Sequence, residues 1–306
     1  MSKRKLGSSE LYISEISLGG MSLGKDIGKA KSIIDRAIDA GINYVDTADL
    51  YDFGMNEQIV GEAIKGRREE IILGTKVGNH FTPGKEGWSW DPSKTHIKRG
   101  VKDSLQRLGT DYIDLYQLHG GTIDDPIEEA IEAFEELRKE GYIREYGISS
   151  IRPNVIKEYV EKSNIVSVMM QYNALDRRPE EEILDLLEQH DISVLARGPL
   201  AKGMLSSKGE TIVNKKAEEG FLEYSYEEVL SLVKKWQDYK SDSRTLTALA
   251  LQYVLHHSAV ASAVFGASSL EQLEDNLSYF RSEPITEQIF GEIQAMTNPI
   301  TYQKHK

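Results

Sequence analysis

Residues 43–51 read Asn43-Tyr44-Val45-Asp46-Thr47-Ala48-Asp49-Leu50-Tyr51, a short apolar run that ends in a carboxylate and is followed within one loop by a phenol. Such a run predicts a buried strand. Lys76 and His119 each follow the last residues of a later apolar run. The C-terminal ends of parallel strands meet on one face of an α/β fold, which is where such proteins keep their chemistry. We therefore expect Asp46, Tyr51, Lys76 and His119 to share one site.

The same unit, an apolar run followed by a loop and an amphipathic helix, repeats eight times. The predicted strands are 15–18, 43–46, 71–75, 112–118, 142–148, 166–171, 192–196 and 260–265, and the predicted helices are 28–40, 55–65, 93–108, 126–140, 152–162, 179–190, 244–257 and 269–279. Continuous apolar strands are typical of a sheet that is covered on both faces. The count predicts an α/β protein with a (β/α)8 TIM barrel, and an open doubly wound sheet is the alternative.

The 306 residues contain no linker rich in proline, glycine or serine, so we expect one domain, 1–306. Residues 1–14 predict a β-hairpin (3–6 and 11–13) that closes the N-terminal end of the barrel. The segments 77–91 and 198–243 interrupt the repeat as long loops on the C-terminal face. Long loops are usually functional or disordered, so 198–243 is expected to contact cofactor or substrate.

Composition excludes several classes of protein. The formal net charge is −12, which argues against nucleic acid or an anionic membrane as a partner. There is no cysteine, so disulfides and thiolate metal sites are excluded, and we expect no metal site. No apolar run is long enough for a membrane span or a signal peptide. We expect a cytoplasmic monomer or weak homo-oligomer.

The four residues suit proton transfer to an oxygen. A neighbouring cation makes a phenol a better acid near neutral pH, so Lys76 would assist Tyr51, and Asp46 would balance the lysine. His119 would share the proton or orient a carbonyl. A hydride source would have to be a nicotinamide cofactor. Taken singly, Asp46 could instead cap a turn, Lys76 could be a solvated strand end, and Tyr51 and His119 could be packed core residues.

Longer motifs resemble those of the aldo-keto reductase family, over essentially the whole chain. Residues 41–51, followed by Asn56-Glu57 and Val60-Gly61, are similar to its first signature, and 108–119 resemble its second. Residues 141–149 give a third match. The resemblance lies toward bacterial members of the branch that includes potassium-channel β subunits. It implies the same barrel, with Asp46, Tyr51, Lys76 and His119 as the catalytic tetrad and Tyr51 as the general acid.

The resemblance also implies a cofactor site without a Rossmann glycine motif. Gly20 and Met21 would flank the dinucleotide, and Ser149, Ser150 and Gln171 would hold its carboxamide end. The pyrophosphate loop would comprise Arg197, Gly198, Pro199, Leu200, Lys202 and Gly203. The chain departs from the family at Ser150, where asparagine is usual, and at Arg197, where an aromatic residue is common. Arg197 could stack on the nicotinamide, bind phosphate or substrate, or form a surface salt bridge.

The adenosine end would lie at a strand-to-helix turn. Gln272, Asp275 and Asn276 recur at the family's spacing there, and Ser268, which leaves the family pattern, lies at the start of the turn. A helix N-terminus suits phosphate, although Ser269 and Gln272 also read as a capping box. The lysine or arginine that often grips the 2′-phosphate is missing, and Lys208 could replace it. We expect NADP(H), with NAD(H) as the alternative.

The substrate is predicted only as an aldehyde or ketone. Phe81, Trp88, Trp90 and the tail near Tyr302 could line an apolar substrate pocket, or could pack within their own loops. Two other functions remain open. Lys76 could form an imine in a Schiff-base aldolase, or the chain could be a non-catalytic subunit that senses nicotinamide cofactor.

Overall fold

Eight parallel strands close into a barrel in the computed structural model, which describes residues 2–82 and 87–305. They follow one another around the barrel in chain order, and the last pairs with the first. The barrel strands are β3 (Ile16–Gly19), β4 (Tyr44–Asp46), β5 (Ile72–Val77), β8 (Ile113–Leu118), β9 (Ile143–Ser149), β10 (Ser167–Gln171), β11 (Ser193–Arg197) and β12 (Val260–Gly266). The remaining strands form two hairpins, β1 (Lys3–Lys5) with β2 (Tyr12–Ser14) and β6 (Asn79–His80) with β7 (Ser89–Trp90). The predicted TIM barrel is confirmed.

All eight predicted helices are present, with ends that differ by a few residues. They are α1 (Ile27–Asp39), α2 (Met55–Ile64), α3 (Lys94–Leu108), α4 (Ile127–Lys139), α5 (Pro153–Lys162), α6 (Ile183–Gln189), α9 (Leu246–Leu255) and α10 (Leu270–Leu277). Side chains fix several starts: Asp26 accepts from the Lys29 amide to cap α1, and Ser93 accepts from the His96 amide to cap α3.

The N-terminal hairpin packs against the interior of the barrel. Leu6 and Ile13 are fully buried in a cluster that includes Tyr44, Leu115 and Val166. Gly7 has φ +55°, and a Cβ there would lie 2.3 Å from the Val166 carbonyl oxygen, so this turn requires glycine. The hairpin therefore covers one end of the barrel and leaves the end at Asp46 open.

The segment 198–243 is more ordered than its expected description as a long loop. It contains α7 (Gly209–Lys216) and α8 (Tyr226–Gln237), and a further helix, α11 (Glu287–Met296), follows the barrel. Ser225 and Glu228 form a capping box at the start of α8. Val229, Val233 and Trp236 bury one face of α8, so its apolar residues are three, four and seven positions apart. Acidic and basic residues between these positions mask that pattern in the sequence.

The other long loop, 77–91, folds back as the β6–β7 hairpin. Asn79 pairs with Trp90 and His80 pairs with Ser89. Residues 83–86 of this loop lie outside the described residues. Across the part of the chain that the structure describes, no helix is long and apolar enough to cross a membrane.

Candidate active site

The barrel brings the four predicted catalytic residues together at its open end. Asp46 ends β4, Lys76 lies near the end of β5, and His119 follows β8. The Lys76 Nζ atom is 2.5 Å from Oδ2 of Asp46 and 5.1 Å from the centre of the Tyr51 ring. The Tyr51 and His119 rings meet edge to face, with their centres 5.7 Å apart. One phenol, one ammonium, one carboxylate and one imidazole thus form a single cluster.

Lys76 is held as a buried cation. Its side chain is fully buried, and its ammonium also donates to the Thr47 carbonyl oxygen at 2.7 Å. Burial lowers the pKa of Lys76, but the opposing attraction of Asp46 and Tyr51 is larger, and the net pKa is raised. The lysine therefore carries a positive charge directly beneath the phenol.

Two residues that the sequence analysis missed hold the carboxylate of Asp46. Tyr44 donates its hydroxyl to Oδ1 at 3.1 Å, and Gln117 donates its amide to the same oxygen at 3.3 Å. Tyr44 is two residues before Asp46 and so points to the same face of the strand. Gln117 and Asp114 are polar residues in a strand whose other members are aliphatic or aromatic, and that contrast could have singled out Gln117.

His119 is neutral at physiological pH. Burial lowers its pKa to about 3, and the nearby charges of Lys76 and Arg197 act in the same direction. Its Nδ1 atom is buried and has no hydrogen-bond partner among the described residues. A neutral imidazole with a free nitrogen can still donate or accept one hydrogen bond.

A cavity of about 870 Å³ opens above this cluster. Such a volume is within the range of small-molecule and cofactor sites. It is lined by residues from most strand ends, namely Gly19, Met21, Ser22, Asp46, Tyr51, Asn79, Trp88, Trp90, His119, Gly120, Gly121, Thr122, Ser149, Ser150, Ile151, Arg152, Met169, Gln171, Arg197, Gly198, Ala201, Lys202, Val264, Phe265 and Gly266. Residues such as Met169 and Val264 carry no charge or motif that would mark them in the sequence as part of a site.

Two of the four aromatic residues predicted for a substrate pocket line this cavity. Trp90 and Trp88 do so, and the Trp90 indole N–H lies 3.0 Å from both carboxylate oxygens of Asp125. Phe81 packs instead on Phe53, with ring centres 5.6 Å apart. Tyr302 is buried beside Arg178 and is not among the residues that line the cavity.

The residues predicted for the carboxamide end lie on one wall of the cavity. Ser149, Gln171 and Arg197 end consecutive strands, and Arg197 donates to Oε1 of Gln171 at 3.0 Å. Ser150 is buried, and its hydroxyl accepts from the Arg152 amide at 3.2 Å. Arg197 is half-buried in the wall, which is not the setting of a surface salt bridge.

The predicted pyrophosphate loop follows Arg197 directly. Gly198 and Lys202 line the cavity, whereas Pro199, Leu200 and Gly203 form the backbone around them. Ala201 and Lys202 have φ +47° and +58°, in the left-handed region that non-glycine residues rarely adopt. Such strain concentrates at functional sites.

Gly20 and Met21 directly follow β3. Gly20 is buried, and its carbonyl oxygen accepts from the Asn56 amide at 3.0 Å. Met21 is 68% exposed at the rim of the cavity. An exposed methionine there can cover a ligand that lies along the rim.

The predicted adenosine turn begins two residues beyond Gly266, which lines the cavity. Gln272 folds back, and its Oε1 accepts from both the amide and the hydroxyl of Ser268, at 2.8 and 3.0 Å. Asn276 donates to the Gln272 carbonyl at 2.7 Å, but its own Oδ1 is buried and unpaired within the described chain.

Lys208 reaches this turn from the segment before α7. Its ammonium is 2.9 Å from Oε1 of Glu271, in the first turn of α10, and both side chains are exposed. Asp275 faces the other way and accepts from the Thr247 hydroxyl at 2.7 Å. Lys208 is therefore beside the predicted phosphate position, already paired with a carboxylate.

Comparison with known proteins shows which family this sequence and fold resemble. The profile of the Aldo/keto reductase family matches residues 15–298. "Uncharacterized oxidoreductase YqkF" of Bacillus subtilis (strain 168) is 57% identical over 307 residues, covering 100% of both chains. "NADH-specific methylglyoxal reductase" of Escherichia coli (strain K12) is 31% identical, covering 91% of this chain and 93% of the relative. The holo form of aldo-keto reductase AKR11C1 from Bacillus halodurans superimposes with a TM-score of 0.92, at 55% identity, covering 100% and 99% of the two chains.

Proposed function

The chain belongs to the aldo/keto reductase family of oxidoreductases, and from that premise we propose that it is an NADP(H)-dependent enzyme that reduces aldehydes or ketones to alcohols. The observation that carries the proposal is the position of the Tyr51 phenol. Tyr51 lines the cavity, and its ring centre is 5.1 Å from the Lys76 ammonium and 5.7 Å from the centre of the neutral His119 ring.

The donor set fits a dinucleotide. Hydroxyl and amide groups of Ser149 and Gln171 suit a carboxamide, and the backbone of 198–203 suits a pyrophosphate. The unpaired Oδ1 of Asn276 is a buried acceptor that an adenine amino group would satisfy. When bound, a nicotinamide cofactor supplies the hydride.

The protein's own residues manage the proton. The carbonyl oxygen of a substrate gains negative charge as its carbon is reduced, and the Tyr51 hydroxyl donates its proton to that oxygen. Lys76 stabilises the phenolate left on Tyr51, and Asp46 keeps Lys76 in place. His119 is neutral and so orients the carbonyl without adding a competing positive charge.

NADP(H) is the preferred cofactor because the Lys208 ammonium lies beside Glu271 in the first turn of α10, where it can contact a 2′-phosphate. NAD(H) is the second candidate, and Glu271 favours it. That carboxylate neutralises Lys208 and would repel a phosphate at the same turn. A relative with 31% identity carries the name NADH-specific methylglyoxal reductase.

The two other functions lack comparable support. A Schiff-base aldolase needs a neutral, accessible lysine, but Lys76 is fully buried and its pKa is raised. A cofactor-sensing subunit would not need a phenol, a cation and an imidazole assembled at the base of a cavity.

The proposal is tested by fluorescence titration of the protein with NADPH and NADH, followed by turnover on a panel of small carbonyl compounds. We expect binding of NADPH well below millimolar concentration and consumption of NADPH that depends on the carbonyl. The proposal is refuted if neither NADPH nor NADH binds. Tight binding without turnover on the panel would favour the sensing subunit.

A further inference from the structure

A second cluster of potential ligands lies outside the active-site cavity. One donor atom each from His80, Asp91 and His96 lie within 4.8 Å of one another. The His96 Nδ1 atom is 3.8 Å from Oδ2 of Asp91, and the two imidazole rings are 5.6 Å apart. No metal site is predicted from the sequence. From this geometry we propose that His80, Asp91 and His96 bind a divalent transition-metal ion of the zinc type.

The donor set suits that class of ion. Zinc takes imidazole nitrogens and carboxylate oxygens at about 2.0–2.2 Å, so neighbouring donors of a tetrahedral site are roughly 3.4 Å apart. Small side-chain rotations would bring the donor atoms from their observed separations to this distance, and His80 is the exposed member of the three. Three protein ligands leave the fourth position to water. Because the sequence has no cysteine, no thiolate competes for the ion.

The backbone fixes two of the ligands in advance. The Asp91 amide donates to the Gly78 carbonyl oxygen at 2.9 Å, and Oδ1 of Asp91 accepts from the Ser93 amide at 3.1 Å. Oδ2 is thereby left toward His96. His96 occupies the first turn of α3, where its amide donates to the Ser93 hydroxyl.

An adjacent cavity of about 540 Å³ supports the proposal independently. It is lined by His80, His96 and Asp49, among other residues. The Nε2 atom of His96 and Oδ1 of Asp49 are both buried, and neither has a hydrogen-bond partner in the described chain. Asp49 is only 3% exposed. A metal-bound histidine normally donates its other ring N–H to a carboxylate or a water, and the Asp49 carboxylate lines the same cavity as His96.

The ion would fasten the β6–β7 hairpin to α3. Side chains alternate along a strand, so Asn79 is buried and His80 is exposed. Asn79 and its partner Trp90 line the active-site cavity. Bound metal would therefore hold one wall of the active site from its outer side. The ligand geometry, and not the proposed reductase activity, carries this inference.

Zn²⁺ binding by the full-length, chelator-treated protein tests the proposal, measured by competition with a chromogenic chelator. We expect one tightly bound ion, and visible absorption bands of a tetrahedral complex when Co²⁺ replaces zinc. His80→Ala should weaken binding by more than the roughly 10–100-fold that loss of an outer-shell partner costs. His80 is exposed, so this variant should keep the melting temperature of the metal-free protein, and zinc should raise that temperature less than in the wild type.

His257→Ala is the matched control, because His257 lies in another His/acid group with Asp185 and Glu188. The zinc affinity of the His257→Ala variant should equal that of the wild type. The proposal fails if the wild type binds no zinc, if His80→Ala binds as tightly as the wild type, or if only His257→Ala loses the ion. His96→Ala should also lose the ion. If that variant does not fold, His80→Ala alone decides.

Discussion

Lys76 donates a 2.5 Å hydrogen bond to Asp46 in the interior of the barrel, where the lysine side chain is fully buried and the aspartate side chain is 4% exposed. Burying an ion pair costs free energy, and good geometry with further hydrogen bonds is needed to offset that cost. Thr47, Tyr44 and Gln117 supply those bonds. The pair is therefore a feature of the site that the surrounding fold maintains.

Tyr51→Phe should abolish carbonyl reduction and leave cofactor binding nearly intact, because it removes only the hydroxyl group that carries the transferred proton. General acids typically accelerate a reaction by about 10²–10⁴-fold, so kcat should fall by a factor of about 10² or more. Steady-state kinetics and fluorescence titration measure the two effects. Tyr226→Phe is a matched control, since that hydroxyl bonds Asn214 on the exposed surface. A parallel loss of cofactor affinity would mean that Tyr51 has a structural role.

Asp46→Asn should lower the free energy of unfolding by about 3–5 kcal/mol, because it leaves the buried Lys76 cation without its counter-ion. Adding Lys76→Met should restore most of that stability while activity stays lost. Urea denaturation of the two variants and the wild type measures the difference. If the single variant is as stable as the wild type, the pair does not hold a buried charge.

Acidification should destabilise the protein through His119. Its pKa is about 3 in the folded protein and about 6.5 in an unfolded chain. Between these two pH values the unfolded state binds more protons than the folded state. The free energy of unfolding therefore decreases as the pH is lowered, by up to about 1.4 kcal/mol per pH unit. Urea denaturation at pH 7.5 and pH 5 should show a larger loss for the wild type than for His119→Gln. Equal losses would show that His119 is protonated in the folded state.

Lys208→Ala should weaken NADPH binding much more than NADH binding, through loss of a phosphate contact. Glu271→Gln should have the opposite effect and strengthen NADPH binding, because it frees the Lys208 ammonium. Titration of both dinucleotides gives the two affinities. Lys216→Ala, at an exposed position of the same segment, should change neither affinity. Equal effects of Lys208→Ala on both cofactors would exclude Lys208 from phosphate binding.

Much of the barrel could be predicted because each strand carries its own signal. Every apolar run that was predicted as a barrel strand is one, to within two residues at each end. The charged segment 198–243 was predicted less well, because the apolar face of α8 is hidden among acidic and basic residues. The start of α4 differs from the prediction by one residue. Pro126 is the N-cap of α4, whereas the sequence predicted it as the first helical residue.

The sequence by itself determined the barrel, the family and the identity of the four polar residues, since these depend on local periodicity and motif. The tertiary structure decided which groups stabilise them. Gln117 is 71 positions from Asp46, and Lys208 is 63 positions from Glu271. Contacts at such separation form only when the barrel closes, and neither partner carries a local pattern that predicts the other. The approach of His80 and His96 to Asp91 was decided in the same way.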